Sequence, residues 1–156
     1  MKIGRIRAVI FVLPLILLTG QIVAEQQKQT ITVAGKERTY YLFVPHTVTD
    51  MNPAPLLVLL HGSGQVGSDM IGPWAELATE EQVILVAPDS IDTWYWQFSI
   101  DGPAYIRDVI DAIAMTHAID QRRVYLFGIS GGAVYALTLA MLESEYFAAV
   151  AIFAGA

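Results

Sequence analysis

The sequence predicts an α/β domain whose sheet is mostly parallel and is headed by an antiparallel hairpin. Three observations lead there. Short continuous apolar runs, "LLVLL" at Leu56–Leu60, "VILVAP" at Val83–Pro88 and "RVYLFG" at Arg123–Gly128, recur along the chain; such runs suit strands buried on both faces. Segments with apolar residues at helical spacing separate them. Ahead of all of them, two alternating runs flank a glycine-containing turn. Strands that alternate with helices imply βαβ units and hence parallel pairing.

Taken in order, "QTITVAG" and "RTYYLFVP" form the hairpin, with Gly35-Lys36-Glu37 as the turn between them. "TVTDMNPAP" is a loop rich in turn formers. Leu56–Leu60 is the first buried strand, and "HGSGQVGSD" after it is a glycine-rich loop. Asp69 is placed to cap a helix running to about Glu81. After the strand at Val83–Pro88 comes a long aromatic loop, "DSIDTWYWQFSIDGP". Ile106, Val109, Ile110, Ile113 and Ala114 then mark a helix from Pro103 to His117, capped by Asp101 or Gly102 with Pro103 in its first position. Arg123–Gly128 is the third buried strand, Gly131–Leu142 a helix, and "FAAVAIFAG" a fourth central strand.

The chain has 156 residues, 54% of them hydrophobic, and no cysteine. That suffices for one domain with its own core, held together without cross-links. At the N-terminus Lys2, Arg5 and Arg7 precede an apolar run, Ala8 to Leu18, and then "TGQIVA". A basic stretch, an apolar stretch and a small residue, Ala24, make residues 1–24 a cleavable export signal. The apolar run is short of the about 20 residues a membrane span needs, so no stable membrane anchor is expected after cleavage. The domain then covers residues 25–156, in the periplasm or beyond. Cleavage removes three basic and no acidic residues and takes the net charge from −6 to −9. A nucleic-acid partner is not expected of so acidic a chain, because phosphate binding needs a basic surface.

The chemistry concentrates at Gly128-Ile129-Ser130-Gly131-Gly132, between a predicted strand and a predicted helix. G-x-S-x-G in that setting is a nucleophile elbow: a tight turn presents the serine hydroxyl above the sheet, at the positive end of a helix. Ser130 is the candidate nucleophile, and the Gly131 N–H the first candidate donor to a developing oxyanion. A glycine-rich turn with a capping serine would share the pattern. Upstream, His61-Gly62-Ser63-Gly64 follows an apolar strand directly. Its glycines would let a second N–H approach the same oxygen, and Ser63 is the choice for that donor. His61 reads as a brace for the loop, with Gly62 beside it at the substrate edge. Trp94 and Trp96 lie beyond the end of a central strand, where such sheets bind ligands; they form either a wall for an acyl group or a packed loop over the core. His46 and His117 read as surface residues, and Asp108 and Asp111 as solvent-facing. No metal-ligand spacing is present, and "HGSG" lacks the Lys-Ser/Thr of a phosphate loop, so neither metal nor organic cofactor is expected.

"PLLVLLHGSGQ", "WYWQF" and "YIRDVIDAIA…AIDQRRVYLFGISGGA", in that order behind a hairpin, resemble the α/β-hydrolase superfamily. Within it the chain is similar to exported esterases related to polyhydroxybutyrate depolymerases and feruloyl esterases, with the run Ile119–Gly132 the most specific part. The resemblance implies a three-layer fold and serine-dependent hydrolysis of small or polymeric carboxylic esters through an acyl-enzyme. Ser130 matches the nucleophile, and the amides of Gly131 and Ser63 match the oxyanion donors. The same fold also carries thioesterases and serine peptidases.

The family's order puts an acid and then a histidine after the serine. After Ser130 this sequence has Glu143 and Glu145 and no histidine. The two glutamates come too early for the family's acid. The expectation is therefore the N-terminal part of an α/β-hydrolase domain lacking its last strands. An inactive remnant or binding protein is the alternative.

Overall fold

The computed structural model describes residues 25–155; the export signal read over 1–24 lies outside them. Six strands form one sheet in the order β1-β2-β4-β3-β5-β6. They are β1 Gln27–Val33, β2 Lys36–Phe43, β3 Ala54–Leu60, β4 Ile84–Pro88, β5 Ile119–Ile129 and β6 Ala149–Phe153. β1 pairs antiparallel with β2, and β2 with β4. The other pairings, β3 with β4 and β5, and β5 with β6, are parallel.

The hairpin turn falls earlier than the sequence suggested. Ala34 and Gly35 both have positive φ, 49° and 76°, so a two-residue turn closes the ribbon and Lys36 already pairs with Val33. β6 has the composition of a central strand but forms one end of the sheet among the described residues.

Alternation along the strands divides the core between two faces. Leu56, Val58, Ile84 and Val86 point to one face, under α4 Pro103–Ala114 and α5 Gly131–Leu142. Leu59, Leu85 and Phe43 point to the other, under α1 Ser68–Ile71 and α2 Ala75–Glu80. Three layers result, and each fully buried Leu or Ile contributes about 1.5–3 kcal/mol. The single helix expected from Asp69 to Glu81 is broken by a 3-10 turn at Gly72–Trp74, because Pro73 has no N–H to continue the ladder. Asp69 sits inside α1, where its carboxylate accepts the Val66 N–H at 3.1 Å. α4 begins at Pro103 with Gly102 at the cap position. Asp101 is instead the last residue of a short helix, α3 Phe98–Asp101, within the aromatic loop.

Three loops leave the same end of the parallel strands: 61–67 after β3, 89–97 after β4, and the Ser130 corner after β5. Ligands bind at that end of such sheets. His46 follows the antiparallel β2 and His117 precedes β5, which puts both at the opposite end.

Candidate functional site

Ser130 links β5 to α5 with φ 52° and ψ −118°. A positive φ is costly for a residue with a Cβ and persists only where surrounding packing enforces it. The enforcement is visible in the neighbours. A Cβ at Gly132 would lie 2.2 Å from the Leu60 carbonyl oxygen, and one at Gly128 2.2 Å from the Gly132 carbonyl oxygen. Glycine at both positions lets α5 start hard against the end of β3. The Ser130 N–H donates to the Phe153 carbonyl at 2.9 Å, so β6 holds the corner from the other side. The Ser130 side chain is exposed.

The 61–67 loop lies directly against this corner. A Cβ built on Gly62 would be 3.3 Å from the Ser130 Cβ, and one on Gly131 2.8 Å from Ser63 Oγ. Five of the loop's amides are engaged: Gly62 N–H donates to Gln65 Oε1 at 3.0 Å, Gly64 N–H to Thr93 O at 2.8 Å, Gln65 N–H to Gly62 O at 3.1 Å, Val66 N–H to Asp69 Oδ2 at 3.1 Å and Gly67 N–H to Asp89 Oδ1 at 2.7 Å. Among the described residues the Ser63 N–H has no such partner. Gly131 opens α5, so its N–H belongs to the helix turn whose donors have no intrahelical acceptor. Two free amides, one in the loop after β3 and one at the start of α5, thus flank one exposed hydroxyl. Gln65, which ties up the Gly62 N–H, was not singled out from the sequence; a polar residue three positions past Gly62 is its only trace there.

His61 is buried, 1% exposed, and both ring nitrogens are engaged. Nδ1–H donates to Gly62 O at 2.9 Å, and Nε2 accepts the Ser90 N–H at 3.1 Å. The Ser90 hydroxyl donates to Asp92 O at 2.6 Å. The imidazole ties the loop after β3 to the loop after β4. Trp96 reinforces that tie: its indole N–H donates to His61 O at 2.9 Å, and its ring lies 4.8 Å from the imidazole and stacks on Tyr135 at 4.6 Å. Trp94 is 61% exposed, and a Cβ on Gly64 would meet its ring at 3.2 Å. The two tryptophans therefore divide the roles that the sequence left open: Trp96 packs inward, and Trp94 faces solvent over the loop.

Beneath the aromatic loop Arg38 and Asp101 form an ion pair at 2.5 Å, with side chains 3% and 0% exposed. Burial pushes the phenols of Tyr135 and Tyr105 far above the usual tyrosine range, so both are neutral hydrogen-bond donors here. His46 is exposed, and His117 contacts Thr116 Oγ at 2.9 Å; neither is near Ser130. Glu143, just past the far end of α5, accepts from Arg107 at 2.8 Å. Asp108 and Asp111 are exposed. Among the described residues no cluster of His, Cys, Asp and Glu could hold a metal ion, and no helix is long and apolar enough to cross a membrane.

No family model matches the sequence. Over 115 residues, 65% of this chain, it is 30% identical to poly(3-hydroxyalkanoate) depolymerase C of Paucimonas lemoignei. Among solved structures, a thermostable esterase superposes with a TM-score of 0.69 over 80% of this chain at 26% identity. An S-formylglutathione hydrolase from Agrobacterium tumefaciens superposes with a TM-score of 0.73 over 85% at 19% identity. The matched regions are 28% of the depolymerase, 40% of the esterase and 58% of the formylglutathione hydrolase, so the chain spans less than two thirds of each. With a hairpin-headed parallel sheet, helices on both faces and these relatives, the chain has the α/β-hydrolase fold, in the company of esterases and a polyhydroxyalkanoate depolymerase.

Proposed function

We propose that the chain carries the nucleophile and oxyanion site of a serine-dependent carboxylic-ester hydrolase. Ser130 Oγ attacks the ester carbonyl carbon. The charge that develops on the carbonyl oxygen is taken by the N–H groups of Gly131 and Ser63. The alcohol leaves, and water releases the acid from the acyl-enzyme. The observation that carries this reading is the pairing of two unengaged amides beside one exposed, strained serine. Donors fixed in that way act mainly on the transition state, and losing one costs about 10²–10³ in turnover.

Polymeric esters are the favoured substrate class, given the depolymerase relative, with Trp94 the exposed apolar surface beside Gly64 on which an acyl chain would rest. Export through residues 1–24 fits a polymer met outside the cytoplasm; a mature protein beginning near Glu25 by mass spectrometry is the expected result, and one beginning at Met1 would contradict it.

A serine hydroxyl needs a base. His61 has both nitrogens occupied, and His46 and His117 lie at the far end of the sheet. The rate expected of this sequence is accordingly slow, because none of these three histidines is placed to take the Ser130 proton. The test is p-nitrophenyl acetate hydrolysis by the purified chain and by Ser130→Ala. Slow turnover that the substitution removes is expected; turnover that survives it would eliminate Ser130 as nucleophile.

A further inference from the structure

The Arg38–Asp101 pair lies outside the chemistry proposed above, yet its hydrogen bonds run into the loop that grips the segment carrying Ser63. Asp101 is wholly buried. Its Oδ1 accepts from Arg38 and from the Ile91 N–H at 3.0 Å; its Oδ2 accepts from the Gln97 N–H at 2.7 Å. One carboxylate thus closes residues 91–101 on themselves. Arg38 reaches from β2 and also donates to Asp89 O at 2.9 Å, at the start of the same loop. The Tyr135 hydroxyl, on the helix that follows Ser130, donates to the Asp101 carbonyl.

From its other side the closed loop, with Ser90 just ahead of it, makes three hydrogen bonds to His61–Gly64. Ser90 N–H donates to His61 Nε2, Trp96 Nε1–H to His61 O, and Thr93 O accepts from Gly64 N–H. These bracket Ser63, whose own amide is left free. We infer that Arg38 and Asp101 are a positioning pair: they fix the aromatic loop, and the loop holds His61–Gly64 so that the Ser63 N–H stays aimed beside Ser130. A buried charge pair suits this, because its partners are fixed by geometry and by full hydrogen-bond satisfaction. No buried side-chain nitrogen or oxygen among the described residues lacks a partner. The inference rests on the hydrolase reading only for its effect on turnover.

Asp101→Asn leaves one acceptor oxygen where three donors converge, so at least one donor meets an amide NH₂. In the full chain, amide hydrogen exchange at Gly64 and Ser90 is expected to quicken about tenfold together with that at Ile91 and Gln97, while Val58 and Val86 keep their rates. For p-nitrophenyl acetate kcat should fall about tenfold with KM nearly unchanged, less than the 10²–10³ of losing a donor outright. Faster exchange confined to Ile91 and Gln97 would overturn the inference, as would an unchanged kcat with Gly64 loosened. Should Asp101→Asn fail to fold, Trp96→Phe keeps the stack on Tyr135 and removes only the indole N–H to His61. Faster exchange at Gly64 and Ser90 with lowered kcat is expected there, and unchanged exchange would overturn the link. If the unsubstituted chain shows no turnover, the exchange data alone decide the coupling, and the failure belongs to the hydrolase reading.

Discussion

The two flanks of Ser130 are built in opposite ways. Toward β3 and β4 the serine leans on a dense polar network, in which His61, Ser90, Trp96, Asp101 and Arg38 are joined by hydrogen bonds and no buried polar side chain is orphaned. Toward β6 it leans on one backbone bond to Phe153. Every residue of β6, Ala149 to Phe153, is exposed, as are Val134, Leu137 and Met141 of the neighbouring α5. The contrast with the other end of the sheet is as sharp. β1 carries Gln27, Lys28, Gln29 and Thr30, polar residues of the kind that discourage edge pairing; β6 carries only apolar ones. The serine corner is therefore rigidified by charge and hydrogen bonding on one side and by apolar strand pairing on the other.

Substitutions that strike one flank at a time sharpen this comparison. Arg38→Met has the largest expected effect. It leaves the Asp101 carboxylate buried without its charge partner and should destabilise by about 3–5 kcal/mol, read as a lowered urea midpoint. Gly132→Ala drives a methyl group to 2.2 Å from the Leu60 carbonyl, where only backbone movement can relieve it. A loss of about 1–3 kcal/mol is expected, accompanied by loss of Ser130 reactivity.

Next comes pH. The phenols of Tyr105 and Tyr135 are raised first of all by burial. Below pH 10 they are protonated in both folded and unfolded chains, and their contribution is intact. Above it the unfolded chain releases those protons and the folded one does not, so each should remove about 1.4 kcal/mol of stability per pH unit. Tyr135→Phe should lessen that alkaline slope; an unaltered slope would contradict the burial assigned to it.

The weak flank gives the smallest effect on folding. Ile152→Lys, at a position 47% exposed, should change stability by no more than about 0.5 kcal/mol. Charge on an edge strand opposes strand pairing, so sedimentation velocity should show the variant no more associated than the unsubstituted chain.

The strong flank was only half legible in the sequence. Ser130, Gly131, Ser63 and His61 stand in two short contiguous motifs whose spacing encodes the backbone bend, and the structure sets Gly131 against Ser63 and Gly62 against Ser130. Arg38 and Asp101 are 63 residues apart; no local pattern pairs a strand arginine with a loop aspartate, and Asp101 read instead as one of two candidate helix caps beside Gly102. Trp96 was ambiguous because an aromatic run marks a wall and a packed loop alike; only its N–H, aimed at His61, separates the two. The break at Gly72-Pro73 was visible in the sequence, and the long helix expected there gave that proline too little weight. β6 shows the converse: its composition is that of a strand flanked on both sides, and composition reports the burial a segment suits without reporting what lies next to it.

The most direct test of the account is a crystal structure of the chain after prolonged reaction with a fluorophosphonate. One adduct is expected, on Ser130 Oγ, with the phosphoryl oxygen about 2.7–3.1 Å from both the Ser63 and the Gly131 nitrogens. An adduct on another residue, or a phosphoryl oxygen turned away from Ser63 into solvent, would contradict it.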